Sequence, residues 1–161
     1  NFRGLAYDPD NEYSIPYNWG TTALVVRTDL VEQPITRWAD LLDPRYAGRT
    51  AIWVGQTREV IAIALKSLGY SANSEDPNEL QAVLEHLLVL KKGVIYLEDY
   101  DLVNSAQAMA SGQIVVAMGY AGDVIAAQEL NENIAYIYPK EGALLWGDTF
   151  VIPATSPNPH R

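Results

Sequence analysis

The apolar and polar positions of this chain fall into short runs with a period of two, or with no polar break at all, alternating with longer runs of period about 3.6. Ile15 to Val26 is the first apolar block and predicts an extended element. Its run Thr21, Thr22, Ala23, Leu24, Val25, Val26 is β-prone and bounded by Gly20 and by Arg27 to Asp29. Thr36 to Leu42 predicts a short helix broken at Asp43-Pro44, and Thr50 to Val54 a brief strand. A helix follows from about Val60 to Leu68, with Gly69 as its stop and, in the reading that needs no ligand, Thr57 as its cap. Asp76-Pro77-Asn78-Glu79 reads as a further helix start, with Asp76 at the N-cap, Pro77 at N1 and Glu79 at N3. Leu80, Val83, Leu84, Leu87 and Leu88 then recur at helical spacing, which predicts an amphipathic scaffold helix to about Lys91. Val94 to Leu97, Ile114 to Met118 and Ala135 to Tyr138 predict strands; Leu102 to Ala110 and Val124 to Leu130 predict helices. Asn1 to Ser14 reads as an irregular polar lead-in. Strands alternating with helices give an α/β layer architecture.

The last apolar block, Tyr138 to Ile152, carries the first candidate chemistry. In an extended segment positions two apart share a face, so Trp146 and Asp148 would offer one ligand both a π-face and a carboxylate. That pairing suits an organic cation. The competing reading is a hairpin turn at Gly147 and Asp148 beside a core Trp. Gly55-Gln56-Thr57-Arg58-Glu59 lies between a strand and a helix start, where α/β proteins place ligands, and would project Gln56 and Glu59 at the mouth. There too a plain alternative stands: Glu59 favours the first helical turn through the dipole without any ligand. Tyr120 closes a strand before Ala121-Gly122-Asp123. Tyr17 and Trp19 share a strand face, for a cleft or for packing.

Composition narrows these options. At 161 residues the chain has room for one domain with a proper core. No cysteine is present, which removes thiolate nucleophiles and zinc-thiolate sites, and the two histidines, His86 in a leucine-rich helix and His160 in the tail, give no metal or triad set. The acidic cluster Glu98, Asp99, Asp101 lacks calcium-loop spacing and reads as a solvated edge or a helix N-terminus. Neither a dinucleotide fingerprint nor a P-loop occurs, so no cofactor is expected. A formal charge of -9 argues against nucleic acid as a partner and permits a cationic ligand. No apolar run approaches the roughly 20 residues of a spanning helix, and Asn1 does not begin a signal peptide.

Four stretches carry a resemblance: DPDNEYSIPYNWGTTAL at Asp8 to Leu24, WADLLDPRYAG at Trp38 to Gly48, REV followed by LKSLGYS at Arg58 to Ser71, and YPKEGALLWGDTFVIP at Tyr138 to Pro153. In that order they resemble the second lobe of the bacterial polyamine-binding proteins, the periplasmic spermidine/putrescine receptors of ABC transporters. The resemblance implies one α/β lobe of a periplasmic-binding-protein type II (Venus-flytrap) fold, a mixed sheet flanked by helices. Residues 1–20 and 146–161 would be the interlobe crossover segments, with the first lobe and the terminal helices absent. It further implies a non-catalytic receptor lobe for putrescine or spermidine. Glu59 would hold an amine; Trp146 and Asp148 match the family's W-x-D motif. Tyr120 stands where the family commonly has Trp, and Gln56 where a spermidine-type site can carry an acid. The implied partners are the polyamine, the other lobe of the same receptor and the ABC-transporter permease, with a periplasmic or lipoprotein-anchored location. Rival expectations are an interaction or sensor module with a degenerate pocket, and a hydrolase pairing Glu59 with Asp148.

Overall fold

The computed structural model describes residues 5–53, 55–97 and 102–157. Val54, the cluster Glu98, Asp99 and Asp101, and the tail with His160 lie outside the described residues. Two compact units divide the chain: Thr21–Leu144, and Asn1–Gly20 with Leu145–Arg161.

The larger unit is built on β1 (Ser14–Arg27), β2 (Thr50–Trp53), β3 (Val94–Leu97), β4 (Val116–Tyr120) and β5 (Ile134–Ile137), in the order β3-β2-β4-β1-β5. β2 pairs in parallel with β3 and β4, whereas β1 pairs antiparallel with β4 and β5. The sheet is mixed, and its central strands are apolar on both faces because both faces are covered. Leu24 and Val26 of β1 and Met118 of β4 pack with Ile63 of α1 (Thr57–Ser67), Leu90 of α2 (Pro77–Leu90) and Trp38 of a 3-10 turn at Trp38–Leu42. Val25, Ala51 and Ala117 face the other way, onto Ala106 and Met109 of α3 (Leu102–Ser111) and Val124 and Ala127 of α4 (Ala121–Leu130). Buried Arg27 joins these layers by donating to the Met109 and Ala110 carbonyls, at 2.7 Å each, where α3 ends.

Local signals set the helix starts. Asp76 caps α2 by accepting from the Asn78 and Glu79 amides, with Pro77 at N1, as its sequence predicts. Two expectations need correction. The N-cap of α1 is Gln56, not Thr57, which is the exposed first helical residue. On α2 only Val83 and Leu90 are buried; Leu80, Leu84 and Leu88 of the expected scaffold face are exposed. His86 fits its structural reading: its Nε2 is 3.0 Å from Ser67 Oγ, and burial pushes its pKa down.

The smaller unit contains the first half of β1 and all but the first residue of β6 (Leu144–Val151), which pairs with β1. The lead-in is less irregular than predicted. Buried Asp8 accepts from the Glu12, Tyr13 and Ser14 amides and from the Ser14 hydroxyl at 2.7 to 3.1 Å, closing the turn that feeds β1.

Candidate functional site

In the Thr21–Leu144 unit the parallel strands β2 and β4 end at Trp53 and Tyr120, and α1 and α4 begin just beyond them. Open α/β sheets bind ligands at this carboxyl edge. Glu59, in the first turn of α1, is half-buried, and its side chain turns back to the sheet. Thr22 of β1 and Tyr120 of β4 are directly opposed in the antiparallel ladder, so both hydroxyls stand on one face. Thr22 Oγ1 donates to Glu59 Oε2 at 2.7 Å, and the Tyr120 hydroxyl donates to Oε1 at 3.2 Å. The helix-dipole reading of Glu59 is therefore incomplete, because each carboxylate oxygen also has a dedicated donor from the sheet. Gln56 is half-buried one residue before α1.

A second phenol lies beside this group. Tyr136 of β5 donates to the Thr21 carbonyl at 2.6 Å, and its oxygen is 2.9 Å from Thr21 Oγ1. Burial pushes the Tyr136 phenol up; the Thr21 hydrogen bond opposes this, while the charges of Asp123 and Glu59 are among the smaller effects that add to it. Tyr138 packs edge-on to its ring, with centroids 5.3 Å apart. Thr22 and Tyr136 escape a sequence reading because each works through pairing with residues far along the chain. The local signal for Thr22 is a hydroxyl residue at the head of the apolar run Ala23 to Val26.

Trp146 and Asp148 belong to the smaller unit. β6 runs unbroken from Leu144 to Val151, so the hairpin reading at Gly147-Asp148 is corrected. The turn comes earlier, where Gly142 takes a φ of 89° and its amide donates to the Pro139 carbonyl. Trp146 is half-buried and Asp148 exposed. The indole occupies the space in front of Gly20, where a Cβ would sit 2.4 Å from its Cζ2. Tyr17 and Trp19 are 65% and 55% exposed, so neither is a core residue; the Tyr17 ring lies against Phe150, with centroids 4.4 Å apart.

With this geometry established, comparison with known proteins decides the family. The model of the bacterial extracellular solute-binding proteins matches residues 2–161. The chain belongs to that family. A spermidine/putrescine-binding periplasmic protein of Escherichia coli is 37% identical over 94% of this chain, and the match covers 43% of the relative. Among solved structures, the spermidine/putrescine ABC transporter substrate-binding protein PotD of Streptococcus pneumoniae superposes with a TM-score of 0.79 at 32% identity, covering 98% of this chain and 48% of that one. The TpPotD lipoprotein of Treponema pallidum gives 0.83 at 30% identity over 96% of this chain and 48% of that one. This solute-binding family member thus spans less than half the length of the relatives it matches. Its fold is that of one lobe of the periplasmic-binding-protein type II architecture, as the four sequence stretches imply. Among the described residues, no group of three or more His, Asp or Glu side chains could hold a metal ion, and no helix is long and apolar enough to cross a membrane.

Proposed function

We propose that this chain is one lobe of a receptor that captures a linear polyamine, putrescine or spermidine, for uptake by an ABC transporter, without catalysis. The observation that carries the reading is the Glu59 carboxylate, held at the carboxyl edge of the sheet beside the Tyr120 ring. A carboxylate fixed next to an aromatic surface serves a ligand with ammonium ends and a methylene middle. Glu59 and Asp148 neutralise ammonium groups; Tyr120 and Trp146 pack against the alkyl chain; Gln56 contributes a neutral contact where an acid would select a further amine. The spermidine/putrescine names of the relatives support the same ligand class.

In this reading residues 1–20 and 146–161 are interlobe crossover segments, and a second lobe of the same receptor closes on the ligand. The permease of the transporter is the downstream partner, and the location is the periplasm or, for a lipid-anchored form, the outer face of the membrane. Calorimetry with putrescine and spermidine on the intact protein tests the assignment. Asp148→Ala is expected to cost about 2 to 5 kcal/mol of binding energy, as for one half of a desolvated charge pair. Unchanged affinity discards Asp148 as a contact. Gln56 also fits a sensor module with a degenerate pocket, and thermal unfolding against a panel of amines separates the two, since a receptor is stabilised by at least one amine and a degenerate pocket by none.

A further inference from the structure

Thr22 stands out in its strand. It follows Thr21 and precedes Ala23, Leu24, Val25 and Val26; it is fully buried, and its neighbours towards the chain end are wholly apolar. A buried hydroxyl is costly unless it is hydrogen-bonded, and valine would fill the same volume at no such cost. The other fully buried threonine in the sheet, Thr50, satisfies itself locally by donating to the Tyr46 carbonyl four residues back. Thr22 instead reaches 37 residues along the chain to Glu59 Oε2. Its hydroxyl therefore serves a side chain rather than its own backbone.

We propose that Thr22 is a positioning residue, which fixes the Glu59 carboxylate in the orientation that receives a ligand ammonium; this rests on the polyamine reading above. Glutamate is among the side chains that lose most rotamer freedom when they are ordered. A site that has already ordered it does not ask the ligand to do so. Thr22 is suited to this task because its β-branched side chain is stiff and its strand is central in the sheet. With Thr22 on Oε2 and Tyr120 on Oε1, the plane of the carboxylate is fixed by two donors from neighbouring strands. Each carboxylate oxygen accepts about two hydrogen bonds, so an acceptor position on each remains for the ammonium.

The test is putrescine calorimetry on the intact protein with Thr22→Val, Thr22→Ser, Glu59→Ala and the Thr22→Val/Glu59→Ala double variant. Thr22→Val is expected to weaken binding about tenfold, the worth of one hydrogen bond to a charged group. Thr22→Ser restores it, and Thr22→Val has no further effect once Glu59 is alanine. Should valine prevent folding, Thr22→Ala removes the same hydroxyl without adding volume. Wild-type affinity in Thr22→Val, failure of serine to restore binding, or full additivity with Glu59→Ala overturns the proposal. If Glu59→Ala itself binds putrescine as the wild type does, the receptor assignment of Glu59 fails and takes Thr22 with it. If Glu59→Ala loses binding while Thr22→Val is silent, only the role of Thr22 is lost.

Discussion

Two small residues of the smaller unit do work that their own segments do not announce. Gly20 leaves room for the edge of the Trp146 indole, and even an alanine methyl would overlap the ring. Gly20→Ala should move the indole, shift the tryptophan emission and, where Trp146 packs on the ligand as proposed, weaken polyamine binding by about 1 kcal/mol, the scale of one ring-cation contact. Unchanged emission and affinity would show that the ring does not depend on that space. Asp8 is the second case. The Ser14 hydroxyl and three backbone amides hold its pKa below the usual carboxylate value. A carboxyl whose pKa is depressed on folding adds stability that is complete above its unfolded pKa and is lost as pH falls through the folded one. The melting temperature of Asp8→Asn should therefore lie below wild type near neutral pH, and the gap should narrow as pH falls below about 4 toward the depressed folded pKa, where the Asp8 carboxyl protonates. A gap independent of pH would assign the loss to geometry rather than charge. Gly20, Thr22 and Asp8 looked like a boundary, a strand residue and a loop because the partners that define them appear only after folding.

At the scale of elements, whatever depends on nearby residues was legible and whatever depends on a partner was not. The α2 start follows from four consecutive residues, and its cap forms as written. Strand β4 was expected from Ile114, yet the ladder begins at Val116, because strand limits are set by pairing, and the Val115 amide is taken by the Arg49 carbonyl. The leucines of α2 show the same limit. A period of about 3.6 tells which residues share a face, not whether anything covers it. Val83 is 3% exposed and Leu84 50%, although both fit the apolar pattern. Val83→Ala should cost about 2 kcal/mol through a lost buried side chain and the space left behind. Leu84→Ala should stay within about 0.5 kcal/mol. Chemical denaturation of both variants checks the contrast, and equal losses would mean that Leu84 is buried in the working protein.

For the molecule as a whole, the resemblance carried by four stretches identified the family and the fold, while the rim chemistry emerged only from the register that opposes Thr22 and Tyr120. Net charge enters at this scale as well. A chain with 20 acidic and 11 basic residues has a formal charge of -9 and surrounds itself with a negative potential. For a neutral ligand that field is irrelevant, but a diamine carrying two charges is drawn toward it, so the field acts on the encounter rather than on the closed complex. Screening shortens its reach from about 30 Å at 0.01 M salt to about 8 Å at 0.15 M. If the proposed ligand class holds, the association rate of putrescine, followed by stopped-flow tryptophan fluorescence, should fall about tenfold across that range, with a much smaller change in the dissociation rate. Spermidine, with one more charge, should show the steeper dependence. A rate indifferent to salt would place the limiting step in closure of the receptor around the ligand rather than in its capture.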